Sequence, residues 1–257
     1  MDREELREVL DSLHDKYNCE EFIALDPISI PHSFREREDI EIAGFLAATI
    51  AWGARPMILK SANRMLGLMD NAPAQFIRGA ERSDLSVLRG FVHRTFNADD
   101  LCDFVWALKS MLAEYGSLGN YFEEKYVELG SVPQLLAHFR ERFFTTEHAH
   151  RAEKHLSSIA KGAACKRLNM YLRWMVRRDN RGVDFGLWRR IPMSALYMPL
   201  DLHSGNMARE LGLLSRKQND WRSVDELTAA LREFDAEDPV RYDFALFGAG
   251  VSGYLKR

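Results

Sequence analysis

Residues 161–214 read KGAACKRLNMYLRWMVRRDNRGVDFGLWRRIPMSALYMPLDLHSGNMARELGLL. A turn of small residues, Gly162-Ala163-Ala164-Cys165, precedes Lys166 and an apolar run, and the spacing predicts a helix over 163–177. Downstream, Pro199-Leu200-Asp201 stops one segment and starts another, with Asp201 suited to cap a helix over 204–214. Between the two runs, the polar, Arg-rich residues 178–190 carry no helical period, and 178–198 reads as an insertion. Two helices joined by an irregular link is the pattern from which the rest of the chain is read.

The helical period recurs outward in both directions. Leu6, Val9, Leu10 and Leu13 share one stripe of a helix over 4–17. Residues 40–52, IEIAGFLAATIAW, are apolar almost all round and predict a buried central helix that Gly53 ends. Pro56 fits the first turn of the next helix, over 56–69. Further helices are expected over 98–114, 121–128, 132–143, 151–159, 224–234 and 239–248. Residues 22–30 are too short to found a sheet and end at Pro31. The expected class is all-α, one helical globule of two lobes spanning 1–257. No fixed-period repeat or low-complexity linker interrupts it.

A chain of 257 residues is long enough for one large core or two small lobes. No run of 18 apolar residues is present, so no membrane span is expected. The opening MDREELREVLDSL lacks the basic and apolar regions of a signal peptide. Cys19, Cys102 and Cys165 are far apart, which fits a reducing compartment and argues against an iron–sulfur cluster. A cytoplasmic monomer without a cofactor is the expectation. His148 and His150 have no acidic partner at helical spacing, so no metal site is expected there. The glycine-rich tail Gly248-Ala249-Gly250-Val251-Ser252-Gly253 follows a helix rather than a strand, and reads as a helix end instead of a dinucleotide loop.

Charge is unevenly distributed. The whole chain is at −3, but residues 1–50 hold 13 acidic and 5 basic residues, a net −8. Residues 151–190 hold 11 basic and 3 acidic residues, a net +8. Such a segment suits a polyanion, and equally a solvated helix face.

Lys166 and Asp201 are the candidate chemical pair. An amine attacks an electrophilic sugar carbon only when uncharged, which burial or neighbouring cations favour; Arg167 and Arg173 lie on the same helix. A carboxylate at a helix start could face the charge that grows on the sugar. Lys161, the Gly162 turn, Arg167, Arg173, Arg177 and His203 are the candidate phosphate contacts. Each has a plainer alternative: a capping Asp, a salt-bridged helix face, a solvated lysine.

GAACK at 162–166 and PLDLHSGNMARELGLL at 199–214 resemble the helix-hairpin-helix and following helix of base-excision DNA glycosylases. In that superfamily a lysine ends the hairpin and an aspartate opens the next helix, with His and Arg further on, here His203 and Arg209. Residues 41–66 are similar to the buried helix, pocket turn and next helix of the fold, and the tail Asp243-Phe244-Ala245-Leu246-Phe247-Gly248 to the helix that packs back near the start of the motif. CKRLNMYLRWMVR, VDFGLW and PLDLH more closely resemble an uncharacterised bacterial family known only as a domain of unknown function. The resemblance implies a helix-hairpin-helix over about 150–178. It also implies a damaged base flipped into a cleft, attack by Lys166 assisted by Asp201, and DNA as partner. Trp52 and Trp188 become candidates for the base pocket. Two features depart from the pattern: Ala164 stands where the hairpin has its second glycine, and Lys166 and Asp201 are 35 residues apart. The alternatives are a nucleic-acid-binding protein of the same fold without catalysis, and a helical interaction module whose basic segment meets an acidic partner or its own N-terminus.

Overall fold

The computed structural model describes residues 2–24 and 26–252. Helix accounts for 64% of residues and strand for 2%, so the chain is all-α. In chain order the helices are α1 (Arg3–Tyr17), α2 (Glu20–Ile23), α3 (Ser29–His32), α4 (Arg37–Thr49), α5 (Arg55–Gly67), α6 (Pro73–Gly79), α7 (Ala98–Tyr115), α8 (Leu118–Leu129), α9 (Val132–Phe143), α10 (Lys166–Val176), α11 (Leu202–Glu210), α12 (Trp221–Arg232) and α13 (Asp243–Ser252). One small ribbon pairs β1 (Val92–His93) with β2 (Phe96–Asn97), antiparallel, with His93 opposite Phe96.

Local chemistry sets these boundaries. Asp2 and Glu5 form a reciprocal capping box at α1, and Asn97 and Asp100 do the same at α7. Proline stands in the first turn of α5, α6 and α9, where its missing N–H costs nothing. Gly130 adopts the left-handed conformation that ends α8.

Two sequence expectations are corrected. Residues 151–159 do not form an α-helix; a 3-10 turn runs over His150–His155. Side chains hold this segment: Arg140 of α9 donates to the Leu156 carbonyl at 3.0 Å and to Glu153 at 2.7 Å. The last helix is α13 rather than 239–248, preceded by a 3-10 turn at Pro239–Tyr242. Gly248 and Gly250 therefore lie inside it, at close approaches: a side chain on Gly248 would strike the Tyr17 ring, and one on Gly250 would meet the His203 carbonyl at 2.6 Å. Residues 22–30 found no sheet, as expected; they contribute to the short helices α2 and α3.

The chain divides into two compact units, Ile23–Ser157 and the two end segments Met1–Phe22 with Ser158–Arg257. In the first, α4 is buried on every face from Ile40 to Thr49. Its Phe45 ring lies edge-on to Phe139 at 5.6 Å and stacks with Phe104 at 6.2 Å, in a cluster that includes Phe143. Each such ring removed from water contributes about 1.5–3 kcal/mol. Glu41 is also buried in this helix. Arg37 Nε donates to one of its oxygens at 2.9 Å, and the Gly119 N–H in the first turn of α8 donates to the other at 3.0 Å. In the second unit, α1 and α11 both pack on α13, and α10 is buried without a break from Leu168 to Val176.

Candidate functional site

The turn before α10 is built from its own main chain. Gly162 is left-handed at φ 77°, and its N–H donates to the Ile159 carbonyl at 2.8 Å. The Ala163 N–H reaches the Ser158 carbonyl at 3.2 Å, and the Gly162 carbonyl accepts from Trp221 N–H at 2.9 Å. Ala164 has no left-handed backbone; the second left-handed residue is Cys165, at φ 48°. The position without its glycine thus needs none, and the strain, about 1–2 kcal/mol for a residue with a side chain, falls on Cys165. Lys166 follows as the first residue of α10.

Asp201 caps α11. Its Oδ1 accepts from the His203 N–H at 2.9 Å and the Ser204 N–H at 3.0 Å, while Ser204 Oγ accepts from the Asp201 N–H at 3.0 Å. Oδ2 lies 3.9 Å from Lys166 Nζ. The two side chains are 28% and 22% exposed, enough for solvent to reach both. Two residues 35 apart in sequence are therefore brought together, one oxygen of the carboxylate holding a helix and the other facing the amine.

Arg173 and Arg177 are placed elsewhere. Both are buried. Arg173 pairs with Asp184 at 3.2 Å and with Asp243, and its guanidinium sits 4.3 Å from the centre of the Phe244 ring. Arg177 pairs with Asp179 at 2.9 Å, Asp184 at 3.1 Å and Asp238 at 2.9 Å. The expectation that these two contact phosphate is corrected: their donors are occupied inside the unit. Burial pushes the Asp238 and Asp243 carboxyls up to about 6 against the pull of Arg177 and Arg173; Asp243 also lies in the field of Asp201 and Lys166.

Among the other candidates, Lys161, Gly162 and His203 are exposed, and His203 stands edge-on to Phe247 at 6.3 Å. The Gly162 N–H is already bonded, so the main-chain donors of that turn are those further on, in the opening turn of α10. Arg167 is half-buried, and desolvation brings its guanidinium down to about 10, still cationic at neutral pH. Trp188 is fully buried, edge-on to Tyr171 at 5.3 Å, and is a core residue rather than part of an open pocket. Trp52, in the unit Ile23–Ser157, is half-buried: its ring stacks on His155 at 5.8 Å and meets the edge of His93 at 5.0 Å. His155 in turn lies 3.2 Å from Asp100. Further along the basic segment, Arg181 pairs with Asp15 of the acidic N-terminal helix. Among the described residues no group of three His, Cys, Asp or Glu side chains could hold a metal ion. No described helix is long and apolar enough to cross a membrane.

Sequence reasoning missed three contributors. Ser204 was readable, since D-x-x-S at 201–204 is a capping-box spacing. Asp243 and Asn219 carry no local signal; each reaches the site only through the fold.

The chain belongs to the DUF2400 family, described as proteins of unknown function, whose family model matches residues 26–252. No curated protein and no solved structure matches the chain.

Proposed function

We propose that this protein is a DNA base-excision glycosylase with lyase activity, placed by resemblance in the helix-hairpin-helix superfamily. The observation that supports this most is the approach of Lys166 Nζ to Asp201 Oδ2, 3.9 Å apart and both open to solvent. That distance is an ion-pair contact, and catalytic contacts commonly tighten once substrate is bound.

In this reading Asp201 takes a proton from the Lys166 ammonium, and the amine lone pair then attacks C1′ of a flipped nucleotide. The glycosidic C1′–N bond breaks with its electrons going to the base, which leaves and is protonated. A second amine proton passes to O4′ as the sugar ring opens, which leaves a protonated imine between Lys166 and the sugar. Asp201 passes the proton it took from Lys166 to the departing base, and its restored carboxylate faces the positive charge left on the sugar. Lys161, Arg167 and His203 are the phosphate contacts, joined by the N–H groups that open α10.

Borohydride reduces the imine to a stable amine, so a panel of duplexes carrying oxidised or deaminated bases tests the reading. A covalent protein–DNA adduct is expected with at least one lesion and none with Lys166→Ala. Asp201→Asn is expected to slow adduct formation by about 10²-fold or more while DNA is still bound. Absence of an adduct with every lesion, or an adduct that survives Lys166→Ala, would end the lyase reading.

A second reading, a helical interaction module, draws on a specific observation: Arg173, Arg177 and Arg181 are answered by carboxylates within the chain. Failure to bind duplex DNA at low salt would favour it, because phosphate contacts strengthen as salt falls.

A further inference from the structure

Lys166 and Asp201 are each held by short local structure, the Gly162 turn and the α11 cap, and neither element reaches the other along the chain. Residues 216–221 touch both. The Trp221 N–H donates to the Gly162 carbonyl at 2.9 Å, and Asp220 bridges Ala163. One residue earlier, Asn219 Nδ2 donates to the Asp201 carbonyl at 3.0 Å. Asn219 Oδ1 accepts from Arg209 Nη2 at 2.6 Å, and Arg209 Nε also donates to the Arg216 carbonyl at 2.8 Å. The segment is rigid at its far end as well: Arg216 pairs with Asp220, and Asp220 Oδ1 accepts from the Ser223 N–H at 3.1 Å to cap α12. Asn219 is an exposed residue, yet both ends of its amide are bonded.

We propose that Asn219 is a positioning residue: it ties the Asp201 cap to the strand-like segment that holds the Gly162 turn, and so sets the separation of Lys166 and Asp201. The inference rests on the reading of that pair as the reactive one. It assigns a role to Arg209 as well, which orders the segment that carries Asn219. Misplacement of a reacting group by about 1 Å can cost a rate factor of order 10², so a tie of this kind acts on chemistry rather than on binding.

Three variants separate its parts. Asn219→Ala removes both bonds. Asn219→Asp keeps an acceptor for Arg209 but has no donor for the Asp201 carbonyl. Gly205→Ala leaves Asn219 in the chain but crowds it, since a Cβ there would lie 2.9 Å from Asn219 Oδ1 and 3.0 Å from Arg209 Nη1. Alanine also favours helix over glycine, so any loss with this variant does not come from a weakened α11. Asn206→Ala, exposed on the same helix, is the control.

Amide hydrogen exchange on the free protein is the first readout. All three variants are expected to speed exchange at 162–166 and at 201–204 together, by about tenfold, with α10 beyond Leu168 unchanged. Loosening of 201–204 alone, or of neither segment, would overturn the proposal. Borohydride trapping is the second readout: the single-turnover rate falls about tenfold in each variant while the Kd for DNA stays within about twofold. If the wild type forms an adduct and the variants match its rate, Asn219 does not position the pair. If the wild type forms none, the lyase reading falls, and the exchange measurements still decide whether Asn219 couples the two segments.

Discussion

The two ends of α10 begin from similar sequence and arrive at opposite states. At its start Lys166 meets one carboxylate, Asp201, at 3.9 Å in the open. Two and three turns later Arg173 and Arg177 meet Asp179, Asp184, Asp238 and Asp243 out of solvent. The closed end is a network of two guanidiniums and four carboxylates, in which removal of either arginine strands a buried partner. At the open end, water reaches both groups, so loss of one strands nothing and a substrate can take its place. Positive charge along a segment therefore does not indicate a binding face; burial decides which cations are available.

Four stability measurements can break this contrast. The largest effect is expected from Arg177→Ala, which leaves Asp184 and Asp238 without their shared cation and should cost about 3–5 kcal/mol in denaturant unfolding. A loss below about 1 kcal/mol would mean that the closed end is not a network.

Next comes acid sensitivity at the same end. His14 is buried, and desolvation together with Arg241, Arg177 and Arg181 brings its ring from 6.5 to about 4. Its Nε2 faces Asn18 Nδ2 at 2.9 Å. Between these two values the unfolded chain binds the extra proton and the folded chain does not. The His14 contribution is therefore complete above about 6.5 and is lost as the pH falls toward 4, by up to about 3 kcal/mol. Asp243 works in the other direction: its carboxyl is raised to about 6, so its contribution is present at low pH and is lost as the pH rises through 6. His14→Gln should flatten the acid slope and Asp243→Asn should steepen it. If the two variants share the wild-type slope, these groups do not set it.

At the open end the expected effects are smaller. Asp201→Ala removes a cap from α11 and should cost about 1 kcal/mol, with Asp201→Asn closer to wild type. Smallest of all, Lys166→Ala should change stability by less than about 1 kcal/mol, because the pair is solvated. A thermal melt in which Lys166→Ala costs as much as Arg177→Ala would erase the distinction between the ends, and with it the case that Lys166 is held for chemistry.

The sequence carried some of this and not the rest. The helical period around Leu6, Leu10 and Leu13 and the apolar run at 40–49 were legible because a stripe or an all-round apolar surface is written in consecutive residues. The Lys166–Asp201 pairing was legible only through the resemblance of two motifs, since nothing in a 35-residue separation says that its ends meet. The fate of Arg173 and Arg177 was open to inference: LNMYLRWMV is nearly as apolar all round as the central α4, so an arginine within that run or directly after it is buried whichever way it points. Which carboxylates would meet them was not legible, because Asp238 and Asp243 come from the far end of the chain. The 3-10 turn at His150–His155 escaped for a related reason: Arg140, on a different helix, supplies the bonds that an α-helix would have made for itself.

One unit draws on both ends of the chain, and this has a consequence for biosynthesis. Ile23–Ser157 is contiguous, so all of its helices have left the ribosome before translation is complete. α1 has no such luck in timing, for its packing surface is α13, which begins at Asp243. At roughly 5–20 residues per second, that interval lasts on the order of 10–50 s. Throughout it, the apolar stripe of Leu10 and Leu13 is without its docking helix, so nascent α1 carries exposed apolar surface until α13 is made.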